Sequence, residues 1–226
     1  MNPGFILIII IAVVGFIVQA KLQSVFKKYS QVMFPGGLTG RDVAEKMLRD
    51  NGIYDVQVTC TPGHLTDHYN PVNKTINLSR DVYYGNSIAA AAVAAHETGH
   101  ALQHAKGYSM LKLRSTLVPA VEFASHWVQW ILLAGIMIVN SFPGLLLVGI
   151  GLFAIMTLFS FVTLPVEIDA SHRALAWLRN SGITDYQTQG YAFDALKWAA
   201  YTYVIAALSS LATLLYYIMI YLNRRD

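Results

Sequence analysis

A single cysteine, Cys60, in a chain of 226 residues excludes an intrachain disulfide framework and a thiolate zinc cluster. Charge is nearly as scarce. Asp, Glu, Lys and Arg make up 13% of the chain against 55% hydrophobic residues, and the mean hydropathy is +0.45, outside the usual range of a soluble domain. The formal charge of +3 includes no polybasic run, so nucleic acid is not an expected partner. What remains is the composition of an integral membrane protein.

The apolar residues gather into runs long enough to cross a bilayer, which takes about twenty residues as a helix. Phe5 to Ala20, "FILIIIIAVVGFIVQA", reads as a first span that extends to Leu22 if tilted. No positive residue precedes it and "VQA" is a poor cleavage site, so it reads as a retained anchor. From His126 to Pro165 the chain is nearly uncharged and is interrupted by "NSFPG", a tight-turn sequence, which predicts a helical hairpin of two spans. A fourth span, "WAAYTYVIAALSSLATLLYYIMIYL", has Trp198 and tyrosines near its ends, where an aromatic belt sits. The Ala-rich stretch from Ile88 to Ala95 mimics part of a fifth.

The expected organisation is an anchor over residues 1–24, a polar α+β region over 25–125, a transmembrane hairpin over 126–164, a more polar helix over 165–197, and a last transmembrane helix over 198–226. In that arrangement Lys21, Lys27, Lys28, Lys112, Arg114, Arg173, Arg179 and Lys197 share one side, and only Arg224 and Arg225 oppose them. Positive charge beside span ends marks the cytoplasm. The polar region over 25–125 is therefore expected inside, in what is expected to be a bacterial plasma membrane.

Between the first two spans the chain turns polar. "TGRDVAEKMLRDNG" opens with a capping-box-like Thr39 and Asp42, places Val43, Ala44, Met47 and Leu48 on one face and ends at Asn51-Gly52, as an amphipathic helix does. "VQVTC" and "KTINLS" alternate as strands and are expected to pair. The intervening "TPGHLTDHYNPVN" is turn-rich and carries His64, Asp67 and His68.

Within "AAVAAHETGHALQH", on a helix expected to start near Ser87 and stop at Gly107, His96 and His100 are four residues apart. One helical turn puts them about 6 Å apart along one face, so both imidazoles reach a single ion at roughly 2.0–2.1 Å. Glu97 is turned by about 100° from His96 and points at a metal-bound water rather than at the metal. That is the division of labour of a metallopeptidase, in which zinc activates the water and the glutamate moves its proton. A buried helix with its polar groups satisfied by neighbours is the blander reading, but an alanine-rich helix offers few such partners.

His104 repeats the four-residue step, yet it lies about 12 Å from His96 on a continuous helix and cannot share its ion. It is expected at the surface, behind the ligands or against substrate. An open catalytic site needs three protein ligands, and "TLPVEIDASHRALAWL" is the best source of the last. Pro165 suits a first helical turn, Glu167 follows it, and Ala170 and Ala174 are small enough for close packing. Glu167 is the expected ligand; the competing reading is a charge placed for the helix dipole, which applies equally to Asp169.

"GHLTDHYNPVNKTINLS", "AAHETGHALQHAKGY", "LRSTLVPAVEFAS" and "LPVEIDASHRAL" together resemble the YugP-type neutral zinc metallopeptidases, membrane proteins related in pattern to the wider gluzincins. The resemblance covers most of the chain. It implies a mainly α integral membrane protein with about four transmembrane helices and a small zincin-like unit, acting as a zinc endopeptidase on peptide or protein substrates. One Zn²⁺ per chain is held by His96, His100 and Glu167, with Glu97 as base. The membrane gluzincins carry an Ala-Asp pair after the glutamate, where this chain has Ala170 and Ser171, so the acidic partner of a ligand histidine is unassigned and Asp169 is one candidate for it. The resemblance also makes "KTINLS", with Ile76, Asn77 and Leu78, the edge strand that receives a peptide. His68, Tyr69 and His172 are unranked candidates to stabilise an oxyanion. Two rivals stand beside this reading: a site-2-type intramembrane metalloprotease, whose Leu-Asp-Gly motif is absent, and a non-enzymatic scaffold, which needs a closed zinc site.

Overall fold

The apolar run that opens the chain forms helix α1, Pro3–Tyr29, in a computed structural model that describes residues 3–33 and 36–223. Arg224 and Arg225, which oppose the remaining charges in the orientation argument, lie outside the described residues. Among the described residues three further helices are long and apolar enough to cross a membrane: α5, Ser109–Met137; α6, Pro143–Asn180; and α7, Tyr186–Asn223. The protein is a mainly α integral membrane protein with a small α+β portion.

The chain divides into two compact units, one comprising Met1–Ile17, Lys112–Leu164 and Thr202–Asp226, the other Val18–Leu111 and Pro165–Tyr201. In the first, Val128, Leu132, Leu146 and Ile150 form a buried cluster across the hairpin of α5 and α6. A Cβ on Gly135 would stand 2.7 Å from Leu146 Cα, so glycine is what lets these two helices touch. Thr157 and Ser210 hydroxyls lie 2.7 Å apart, the kind of polar contact that joins helices where no water competes.

Two helices are longer than the sequence suggested. The hydropathy signal begins near His126, yet α5 starts at Ser109, because the charged turns before the apolar run are also good helix formers. Pro119 is tolerated inside it at the loss of one intrahelical hydrogen bond. Pro165 likewise lies inside α6 and starts no helix; a continuous helix of 38 residues passes through it.

The second unit opens with α2, Gly40–Asp50. Its capping box is complete, with Asp42 N–H donating to Thr39 Oγ1 at 3.2 Å and Thr39 N–H to Asp42 Oδ2 at 2.8 Å. Val43, Ala44, Met47 and Leu48 form the buried face, and Gly52, at φ 70°, carries the chain out of the helix. Three strands follow, β1 at Gln57–Thr61, β2 at His68–Asn70 and β3 at Thr75–Ser79, in the order β1-β3-β2. The strand β1 runs parallel to β3, pairing Val58 with Ile76 and Cys60 with Leu78, and β2 runs antiparallel, pairing Tyr69 with Ile76. Ile76 and Leu78 are fully buried, so truncating either to alanine costs about 2–5 kcal/mol. After the single turn of α3, Arg80–Tyr83, comes α4, Ile88–Ala105, capped by Ser87 Oγ accepting from Ala90 N–H at 3.2 Å. At its other end Gly107 adopts φ 63°. Buried on nearly all sides, α4 packs against α2, α3 and the sheet, and its alanines let those elements approach closely.

The central position of β3 corrects one expectation. Ile76, Asn77 and Leu78 are on no edge: β1 occupies one side of that strand, β2 the other, and the Asn77 side chain is tied to Thr59 and Thr75. The edges are β1 and β2, and β2 is the one that packs against α4.

Candidate metal centre

Two helices of the second unit meet at a glycine. A Cβ on Gly99 would stand 2.6 Å from the Ala170 carbonyl oxygen, so α4 and α6 are in backbone contact one residue before His100. Ala170 and Ala174 are fully buried, the small residues that such an approach requires. The contact delivers Glu167 to the two histidines: its Oε2 lies 3.2 Å from His96 Nε2 and 3.5 Å from His100 Nε2. The imidazoles are edge to face, with ring centroids 4.8 Å apart. One ligand atom from each of the three residues falls within 4.8 Å of the others. Two imidazole nitrogens and a carboxylate oxygen converging from two helices fit the donor set of a catalytic zinc.

The outer nitrogens of both histidines are engaged. His96 Nδ1 is 3.1 Å from Ser171 Oγ, and His100 Nδ1 is 3.0 Å from Gln103 Oε1. Gln103 is fully buried and donates through Nε2 to the Val166 carbonyl and to Asp169 Oδ2, each at 2.7 Å. Asp169 also accepts from Arg173 Nε at 2.6 Å. The partner that sequence left open is thus a hydroxyl for His96 and an amide for His100, with Asp169 one step further out. Ser171 was legible as the residue one turn after Glu167 on the same face. Gln103 was legible only as a polar residue three places after His100, where a helix puts neighbours.

Glu97 is buried beside them, and its charge acts on His100. Burial disfavours protonated His100, but the hydrogen bond and charge of Glu167, helped by Glu97 and Gln103, outweigh it and raise the pKa. A metal at His100 Nε2 would have to displace a proton there.

The remaining candidates separate. The Tyr69 hydroxyl and His104 Nδ1 are 2.7 Å apart, joining β2 to the end of α4. Burial, with a smaller contribution from Asp55, pushes Tyr69 up to about 12, so it stays a phenol. His68 is exposed and donates through Nδ1 to the Thr66 carbonyl at 2.8 Å, and His172 is exposed on α6. The cavity of about 690 Å³ beside Leu22, Phe26 and Asp67 is lined by none of His96, His100 and Glu167.

A histidine pair, His100 buried and His96 partly so, with a facing glutamate from a second helix and a glutamate next to the first histidine, is the arrangement of a metallopeptidase-like centre, here carried by a membrane protein. The chain belongs to the family described as "Putative neutral zinc metallopeptidase", which it matches over residues 4–222. It is 44% identical over 214 residues to a Bacillus subtilis (strain 168) protein described as "Putative membrane protease YugP", covering 94% of this chain and 93% of that one. No solved structure matches it.

Proposed function

We propose that this chain is a zinc-dependent endopeptidase holding one Zn²⁺ through His96, His100 and Glu167, with Glu97 as general base. The observation that carries the proposal is the convergence of three ligand atoms within 4.8 Å, in a chain of a zinc metallopeptidase family. Zinc, when bound, makes a water nucleophilic near neutral pH and polarises the scissile carbonyl. Glu97 takes the proton of the attacking water and returns it to the leaving amine. Ser171 and Gln103 engage the Nδ1 atoms of His96 and His100, which leaves the two Nε2 atoms on the side of Glu167, where they would face the zinc.

The substrate main chain lies along the free edge of β2, because β2 is the edge strand that packs against α4. Substrates are unfolded or membrane-associated proteins, and cleavage occurs outside the bilayer. The intramembrane alternative loses ground because α4 is not among the four candidate spans and packs against α2 and the sheet. The basic residues near the span ends favour a cytoplasmic site.

The test is Glu97→Gln in the full chain purified in detergent. The variant is expected to retain one zinc per chain and to lose hydrolysis of an unstructured peptide, while chelation silences the wild type. Full activity in Glu97→Gln rules out this mechanism.

A further inference from the structure

The amide of Gln103 has a settled orientation. Its nitrogen faces two acceptors that cannot donate to it, the Val166 carbonyl and the Asp169 carboxylate, both at 2.7 Å. Reversing the amide would set its oxygen against both. The oxygen therefore faces His100 Nδ1 at 3.0 Å, and an oxygen can only accept there. Nδ1 consequently carries a hydrogen, so in the neutral ring it is Nε2, the nitrogen 3.5 Å from Glu167, that has the lone pair.

We infer that Gln103 is a positioning residue, which uses its anchors on α6 to lock His100 in the Nδ1–H tautomer and aim its Nε2 at the metal. Resting on the zinc-peptidase reading, the inference adds what holds one ligand in register with a helix far away in sequence. Gln103 lies on α4 with His100, whereas Val166 and Asp169 flank Glu167 on α6. The same side chain thus sets both the ring of one ligand and the helix that carries another. Asp169 in turn is gripped by Arg173, whose guanidinium lies 5.9 Å from the Tyr108 ring centre. Tyr108 N–H donates to the Gln103 carbonyl at 2.9 Å, which closes a ring of contacts around the glutamine.

Gln103→Met removes the amide at nearly constant volume. Outer partners of this kind are worth about 10- to 100-fold in metal affinity, and that weakening is the expected result in a competition titration of the full-length protein with a chromophoric zinc chelator. Gln189→Met is the control, because Gln189 bridges Leu175 and Thr184 in the same unit away from the ligands. It is expected to lower the midpoint of thermal unfolding while leaving zinc affinity unchanged. If Gln103→Met does not fold, Asp169→Ala removes one anchor of the amide from a partly exposed position and is expected to weaken zinc binding several-fold. Unchanged zinc affinity in Gln103→Met, or in Asp169→Ala where that stands in, overturns the inference while the peptidase reading survives. Equal weakening by Gln189→Met also overturns it. A wild type that binds no zinc overturns both.

Discussion

Gly99→Ala tests the geometry of the centre without altering any donor atom. The added Cβ would lie 2.6 Å from the Ala170 carbonyl oxygen and 3.1 and 3.2 Å from that residue's Cα and carbonyl carbon. Ordinary van der Waals contact begins at 3.4 Å, so relieving the contact with the oxygen requires α4 and α6 to part by roughly 0.8 Å at this point. Backbone lies on both sides, and no side chain can swing away to absorb the shift. Overpacking of this kind costs about 1–3 kcal/mol. The larger consequence falls on metal binding, since bonds of about 2 Å tolerate deviations of only about 0.2 Å. The displacement is some four times that, and it carries Glu167 away from both histidines. The variant is therefore expected to lose zinc on dialysis as Glu167→Ala does, and its unfolding midpoint should no longer respond to a chelator. Gly151→Ala, where nothing lies within 4 Å of the added methyl, is expected to change neither property. Retention of one zinc per chain with an unchanged midpoint in Gly99→Ala would refute the close helix contact.

Glu167→Ala is expected to lower metal content and activity together, Asp169→Ala to do less and His104→Ala to retain zinc; metal content after dialysis ranks the three, and zinc loss in His104→Ala alone would show the ligand set to be wrong. Cys60 is exposed, so a membrane-impermeant thiol reagent should label it only after lysis if the site is cytoplasmic, and labelling in intact cells refutes that orientation. Asp67, whose carboxyl is pushed up by burial despite hydrogen bonds from Ser79, binds its proton more tightly folded than unfolded. Its contribution to stability therefore falls as pH rises from about 3.9 through its folded pKa. Asp67→Asn should gain in unfolding midpoint over the wild type across that window and hold the gain above it; a gap that shrinks as pH rises contradicts the burial argument.

That His96 and His100 lie together could be read from sequence because helical periodicity is rigid: a spacing of four residues fixes which side chains share a face. The capping box of α2 and the serine cap of α4 were legible for the same reason, each being a local hydrogen-bond pattern within a few residues. The third strand was not. Only three residues long, β2 sits in a segment whose glycine, prolines and asparagines signal turns, and its existence depends on pairing with β3. That pairing decides which strand is the edge, so mistaking β3 for an edge followed directly from missing β2. The outer partners of the histidines were hidden in another way. Whether Gln103 meets Asp169 or solvent depends on how α4 lies against α6, which is set by the contact at Gly99 and is written in no local pattern.

The alanine run before the first ligand shows why hydropathy alone misplaces such a helix. Ile88 to Ala95 is apolar enough to mimic part of a span, and hydropathy counts it with the isoleucines of α1. Their surroundings differ. Those alanines are buried by protein on every side, whereas Phe16 and Ile17 of α1 are 76% and 58% exposed within the protein, as side chains facing lipid would be. Side-chain size separates the two cases where hydropathy does not. A surface turned toward acyl chains gains from large side chains, whereas a helix packed against backbones on several sides has room only for small ones. Read by size, Ala89 to Ala95 predicts a helix enclosed by protein, and in that setting His96, His100 and Glu167 find the fixed partners that lipid cannot supply.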